Sequence, residues 1–264
     1  MGSATREALA STIGVLGSLP GTPELATGEQ LLDAGRVIGG SAQLRAALAD
    51  DSSATAVKTA LVRSLFASFT PDARSLLESI VAGRWSSDTD LLAGIEEVGI
   101  RALAESAPAD VSLAAELFAF QRAVDSDAEL ELAVSSKLGS SESKARLVSS
   151  LLSGKGSDQT VAILSHLVRQ PRGRRIGELL RFAISVIADQ AGLLVATVIS
   201  AKPIAADQLD RLGAQLAIRY GRKLRINSRI DADLIGGVRV QIGGDVIDGS
   251  VATKLNDLRL QLAR

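Results

Sequence analysis

Residues 231–263 read DADLIGGVRVQIGGDVIDGSVATKLNDLRLQLA, with two Gly-Gly pairs, Gly236-Gly237 and Gly243-Gly244, close together. Such a segment either cradles a phosphate or turns the chain, and its neighbours decide which. Val238, Val240 and Ile242 alternate with Arg239 and Gln241, the period of a half-buried strand. After Gly243-Gly244-Asp245 the apolar run resumes at Val246-Ile247, which predicts a hairpin. Val251, Leu255, Leu258 and Leu262 then predict a closing helix. A strand follows each glycine pair where a dinucleotide fingerprint requires a helix, and the spacing differs as well. The glycines are therefore expected to supply positive φ at turns and close backbone contact.

Working outward, GLLVATVISAKPI (192–204) is rich in β-branched residues and ends at Pro203. ADQLDRLGAQLAIRYG (206–221) is an amphipathic helix with Leu209, Leu212, Leu216 and Tyr220 on one stripe and Gly221 as its stop. KLRINSRID (223–231) alternates again, as a strand. These elements predict a small α/β domain over 191–264.

From Ala4 to about Gln190 the apolar spacing is helical. Polar breaks are expected at 20–30, 50–55, 69–72, 86–90, 106–110, 125–127, 139–143, 153–158 and 170–175. TPDARSLLESIVAGR (70–84) carries Thr70 as N-cap, Pro71 at the first helical position and Asp72 on the helix dipole. SESKARLVSSLL (141–152) offers Ser141 as a cap. The helical part also repeats. Residues 41–65 align with 127–151, pairing Leu44 with Leu130, Leu48 with Val134, Lys58 with Lys144 and Leu61-Val62 with Leu147-Val148. Residues 91–105 align with 175–189. A duplicated helical bundle is the reading, with too few copies for a solenoid. The fold class expected is α+β and mainly helical: a first bundle over 1–105, a second over 89–190 sharing the helix 89–105, and the α/β domain.

Composition bounds the rest. The chain has 264 residues, 46% hydrophobic but only 3% aromatic, so Ala, Leu, Val and Ile must build its interior. With a net charge of −1 no global field draws it to nucleic acid or acidic lipid. It has no cysteine, which excludes disulfides, thiolate zinc sites and a cysteine nucleophile. No window approaches the roughly 20 apolar residues of a membrane span. No leader segment is evident in the first residues, and an intracellular chain is expected.

Chemistry is scarce. SGKGSD (153–158) lacks the Ser or Thr that follows a P-loop lysine and reads as a helix-to-helix turn. His166, the one histidine, lies in a helix with no carboxylate partner in view and is assigned to a core edge or helix surface. Glu96-Glu97 and Asp50-Asp51 read as solvated faces. Two basic clusters, Arg169, Arg172, Arg174 and Arg175, then Arg219, Arg222, Lys223 and Arg225, read as solvated turns or a patch for an acidic protein helix. No catalytic residue, cofactor site or metal site is assigned, and binding to other proteins is what remains.

The segment 230–262 resembles the C-terminal signature of the delta subunit family of bacterial F-type ATP synthases, which includes the oligomycin-sensitivity-conferring protein. Asp231, Leu234-Ile235-Gly236-Gly237, the strand to Gly243, and Val246-Ile247-Asp248-Gly249-Ser250 carry the likeness. Residues 195–226 resemble the family's strand–Pro–helix–strand approach, and about 90–190 its N-terminal six-helix bundle. The chain exceeds the family's ordinary length by the first helical copy, like the enlarged actinobacterial form, in which delta is either separate or fused behind a b-type stalk subunit. The resemblance implies a non-catalytic stator subunit, present once in a hetero-oligomer at the cytoplasmic face of the cell membrane and without a membrane span of its own. Its partners are then the N-terminal helices of alpha subunits, gripped in a groove, and b-type stalk subunits, so that the head resists rotor torque during proton-driven ATP synthesis. The implied groove stripes are Leu76, Leu77 and Ile80 in copy one and Val161, Ile163, Leu164 and Leu167 in copy two. The alternative is a helical adaptor unrelated to ATP synthase.

Overall fold

The structure is a computed structural model and describes residues 2–136, 139–231, 234–242 and 245–251. It is mostly helical, with a small mixed sheet near the C-terminus, as expected. Two compact units divide it, Met1–Ile187 and Ala188–Arg264.

In the first unit the helices are α1 (Ser3–Gly17), α2 (Leu25–Gly40), α3 (Ala42–Ala49), α4 (Thr55–Leu65), α5 (Pro71–Ala82) and α6 (Asp88–Glu105). Then come α7 (Leu113–Ser126), α8 (Ala128–Ser135), α9 (Ser141–Leu152), α10 (Asp158–Arg169) and α11, which runs Ile176–Gln190. The starts follow local chemistry. Thr70 Oγ1 accepts from the Ala73 amide at 3.3 Å ahead of Pro71, and Ser87 Oγ accepts from the Asp90 amide at 3.0 Å. The cap of α9 is Ser140, one residue earlier than expected, because its Oγ accepts from the Ser143 amide at 3.1 Å. Residues 153–157 form the α9–α10 turn anticipated for the SGKGSD stretch.

The polar break expected over 20–30 is too long, since α2 already begins at Leu25. Tertiary packing overrides the local signal there. Thr27 and Gly28 are buried, and a Cβ on Gly28 would lie 2.5 Å from Leu103 Cγ of α6. A Cβ on Gly99 of α6 would lie 2.7 Å from Leu32 Cδ2 of α2. Glycines on both helices thus let α2 and α6 approach more closely than any side chain would permit. The surrounding core joins Leu31, Ile38, Leu76, Leu77, Ile80, Leu91, Ile95 and Val98, all fully buried. Trp85 closes it, its Nε1 donating to the Ile80 carbonyl at 2.8 Å.

Helix starts recur at the spacing of two of the aligned stretches. Helices α8 and α9 start at Ala128 and Ser141, each 86 positions after Ala42 and Thr55, which start α3 and α4. Leu48 and Val134, Lys58 and Lys144, and Val62 and Val148 are buried at the paired positions.

In the second unit β1 (Leu194–Ser200), α12 (Ala206–Tyr220), β2 (Leu224–Ile230), β3 (Val238–Ile242) and β4 (Asp245–Asp248) form a sheet of order β2-β1-β3-β4. Strands β1 and β2 run parallel across the α12 connection, and β3 is antiparallel to both β1 and β4. Ala196, Val198, Val240 and Ile242 face Leu209, Leu212 and Leu216 of α12. Gly221, at φ 65°, ends the helix.

Substitution tests the close approach of α2 and α6. Gly28→Ala is expected to lower unfolding free energy by about 1–3 kcal/mol through overpacking. Gly14→Ala, in the last turn of α1 with open space around its Cβ position, is expected to gain about 0.5–1 kcal/mol. Urea denaturation of both variants checks the pair.

Candidate functional site

Helix α6 carries two carboxylates that the sequence suggested were solvated. Both Glu96 and Glu97 are buried. The i,i+4 spacing brings Arg101 Nη2 to Glu97 Oε1 at 2.8 Å, with both side chains nearly inaccessible. Glu96 takes three partners from far along the chain. His166 Nε2 of α10 lies 3.3 Å from Oε1, Arg174 Nη2 donates to both oxygens at 2.9 and 2.8 Å, and Arg172 donates to Oε2. Burial pushes the Glu96 carboxyl up, but the His166 hydrogen bond and the Arg172 and Arg174 charges outweigh it and hold it below the usual carboxylate range. Arg172 adopts φ 47°, a left-handed conformation costly for a residue with a Cβ, and the pairing with Glu96 offsets that cost. Arg174 also stacks on Phe182, 5.5 Å from the ring centroid. His166 therefore has the carboxylate partner that sequence reading missed, and two arginines of the first basic cluster are structural. The cluster ties α10 and the turn after it to α6.

Beside this clamp, α2 and α10 wall a groove of about 440 Å³, with Ser149 of α9 at its margin. One wall is the α2 row Leu25, Glu29, Leu32, Asp33 and Arg36. The other is the α10 row Asp158, Val161, Ala162, Ser165, His166 and Arg169. Asp33 pairs with Arg36 at 2.8 Å, and Arg169 with Glu142 at 3.1 Å. Glu29 and Asp158 make no ion pair or side-chain hydrogen bond among the described residues. Partial burial, then the Asp33 and Asp158 charges, push the Glu29 carboxyl above its ordinary value.

Of the residues expected to form groove stripes, only Val161 lines this opening. Leu76, Leu77 and Ile80 are fully buried in the core beside α1, and Ile163, Leu164 and Leu167 are fully buried along α10. Their helical spacing marks the inward face of each helix, so a partner meets other residues first.

In the second unit the glycine motif turns the chain back on itself. Gly236 and Gly237 adopt φ 148° and 81°. A Cβ on Gly237 would lie 2.4 Å from the Gly249 carbonyl oxygen. The Gly249 amide donates to Val238 O at 2.9 Å, and the Val251 amide to Gly236 O at 3.0 Å. Asp231 donates its amide to Ser200 O at 2.9 Å at the end of β2. The Ser250 hydroxyl and amide, then Arg239, hold the half-buried Asp248 carboxyl at about 2. Ser250 is buried. Gly243 lies outside the described residues, as does the expected closing helix beyond Val251. A second groove of about 710 Å³ runs between α12 and the edge strand β2. Leu209, Gly213, Ala217, Leu224 and Ile226 line it, with Lys223, Arg225 and Asp210 charged. Arg222 of the second basic cluster pairs with Asp189 at 3.0 Å.

Among the described residues no three His, Asp or Glu side chains converge as metal ligands, and no helix is long and apolar enough to cross a membrane. Two grooves and a buried ionic clamp are the features the described residues present. The family model described as ATP synthase delta (OSCP) subunit matches residues 101–262. The chain is 51% identical to the ATP synthase subunit delta of Leifsonia xyli subsp. xyli over 263 residues, covering 100% of both chains. It is 36% identical to that of Kineococcus radiotolerans, over 90% of this chain and 87% of the relative. Against that of Corynebacterium aurimucosum it is 34% identical over all of both. A chain of the cryo-EM structure of the Toxoplasma gondii mitochondrial ATP synthase hexamer superposes at TM-score 0.40 and 24% identity, over 64% of this chain and 97% of that one. The chain belongs to the ATP synthase delta (OSCP) subunit family, whose members are non-catalytic components of the synthase.

Removing the buried carboxylate tests the clamp. Glu96→Gln is expected to cost about 3–5 kcal/mol at neutral pH, because it strands cations packed around a buried position. A carboxyl held below its unfolded value stabilises above that value, about 4.3, and the contribution is lost as pH falls through the folded pKa. Urea titrations from pH 7 down to 3 should therefore show a shallower acid dependence in the variant than in the wild type.

Proposed function

We propose that the chain is the stator link of an F-type ATP synthase. On this reading the helical unit holds N-terminal helices of alpha subunits on the catalytic head. The α/β unit holds b-type stalk subunits, so that rotor torque is resisted and proton movement drives ATP synthesis. One copy serves each complex, peripheral to the membrane on its cytoplasmic face. The observation that carries the reading, beside family membership, is that each of the two compact units bears its own open groove. A tether needs two independent attachment surfaces and no reactive group. Helix-in-groove docking supplies attachment from apolar and small side chains with a few charges for register.

We also propose that residues 1–105 and 89–190 are two copies of one helical bundle sharing α6, followed by the stalk-binding domain over 191–264. The matched starts of α3 with α8 and α4 with α9, and the buried lysines Lys58 and Lys144, support the duplication. Because α2 packs so closely on α6, the copies are expected to fold together, and tests should keep the whole chain. The groove against α10 is preferred as the head-facing surface, since its walls come from both copies.

The test is capture. The full chain, immobilised, is exposed to a detergent extract of membranes from its source organism, and bound proteins are identified by mass spectrometry. Alpha and b subunits are expected to be retained. Retention of neither at low and moderate salt would contradict the stator reading and favour an adaptor unrelated to the synthase.

A further inference from the structure

We infer that the outer edge of β2 takes up an extended segment of a stalk subunit as a fifth strand, with apolar residues of that segment toward α12 and acidic residues on the other face of the sheet. The inference rests on the stator reading for the source of the segment and adds how the α/β unit holds it.

The edge follows from the ladder. β2 stands at the end of the order β2-β1-β3-β4, so β1 pairs one side of it only. Leu194, in register with Leu224, donates its amide to Lys223 O at 2.9 Å. Asp231 donates to Ser200 O at 2.9 Å, with Ser200 in register with Ile230. In a parallel pair these two bonds set the phase, and the odd-numbered residues from 223 to 231 turn their amides and carbonyls to β1. Leu224, Ile226, Ser228 and Ile230 turn theirs the other way. Among the described residues no hydrogen bond reaches those outward groups. A row of unpaired donors and acceptors is a template for one more strand.

The same residues line the groove. Leu224, Ile226 and Ser228 face α12, where Leu209, Gly213 and Ala217 form the opposite wall. A Cβ on Gly213 would lie 2.8 Å from Ile226 Cδ1, so the helix comes down onto the strand at that point. Small side chains leave the rest open, about 710 Å³. A helix seated there would leave the outward amides and carbonyls of β2 unmet. A strand at the ordinary spacing of about 4.8 Å pairs them and drops its alternate side chains into the groove.

Charge selects the strand. Arg225 and Arg229 lie on the face away from α12, with Asn227 between them. Arg225 makes no ion pair among the described residues. A second copy pairing β2 with β2 would set these arginines against their own kind, and like charges directly opposite are destabilising. Residues 252–264 carry Lys254, Arg259 and Arg264 against one acid, Asp257, so the chain's own end does not complement them. A partner strand with acidic residues at alternate positions does, while valine or isoleucine at the others fills the groove.

A peptide of about seven residues, the length of β2, with valine and glutamate alternating, tests this by fluorescence anisotropy against the full chain. It should bind at least about tenfold tighter at low salt than the same peptide with lysine for glutamate. Hydrogen exchange through 224–230 should slow when it is bound. Two further peptides carry N-methyl groups on alternate amides, one on the valines and the other on the glutamates. Only one set of amides faces β2, so one peptide should keep its affinity within about threefold and the other lose at least about tenfold. Ser228→Pro removes an outward amide and leaves the β1 ladder intact, so it should weaken binding at least about tenfold with the melting temperature essentially retained. Arg225→Glu should cut the preference for glutamate over lysine below about threefold, and it carries the test if the proline variant does not fold. No binding, equal loss with both methylated peptides, or an unchanged charge preference in Arg225→Glu would overturn the inference. So would a dimer in sedimentation that Ser228→Pro abolishes, since the edge would then belong to a second copy. Capture separates the inference from the reading it rests on. Ser228→Pro is expected to retain alpha subunits and lose stalk subunits. If it retains stalk subunits as the wild type does, the inference fails and the stator reading stands. If the wild type retains neither, the stator reading fails and takes the source of the strand with it, whatever the peptides do.

Discussion

The helical unit depends on one buried carboxylate. Glu96 sits in the middle of α6 with almost no accessible surface, a position costly for a charge unless it is fully paired. It is paired by a histidine 70 positions away and by two arginines beyond it. That requirement fixes α10 and the turn at 170–175 against α6. The glycines of α2 and α6 then bring α2 alongside, and the groove is the space left between α2 and α10. Its place follows from the clamp and the glycines together.

The groove itself departs from the economy of the core. Around Glu96 each negative charge meets positive ones, whereas Glu29, at the surface, lies beside Asp33 and Asp158. Foldable sequences keep their local choices mutually supportive, and the places where they do not are where binding is expected. The same contrast holds in the α/β unit. There the glycine motif is closed by backbone hydrogen bonds and its Asp248 is satisfied by Ser250 and Arg239, while the groove beside β2 stays open.

Much of the fold was legible in local chemistry. Thr70-Pro71-Asp72 marks the start of α5 whatever the context, Gly221 the stop of α12, and the alternation through Val238, Val240 and Ile242 a strand. Gly236 and Gly237 stand out in the sequence as turn and close-contact glycines, and their φ values and the nearby Gly249 carbonyl give the reason. What stayed hidden depended on long-range partners. Glu96 and Glu97 look like any solvated pair until Arg101, His166, Arg172 and Arg174 are placed beside them. The start of α2 was obscured because Thr27 and Gly28 are loop-forming by type and buried only through contact with other helices. The stripes Leu76–Ile80 and Ile163–Leu167 were legible as apolar faces, but periodicity does not distinguish a face turned to the core from one turned to a partner. Glu29 and Asp158 lie 129 positions apart in sequence, and no local signal joins them.

The central claim is mechanical, that this chain couples the head to the stalk, and coupling is what should be measured. Membrane vesicles depleted of the chain and then resupplied with it should regain proton-driven ATP synthesis in proportion to the chain bound. ATP hydrolysis by the detached head should stay the same throughout. Recovery of synthesis with unchanged hydrolysis is the predicted result. Full synthesis in depleted vesicles, or a head whose hydrolysis itself depends on the chain, would contradict the account.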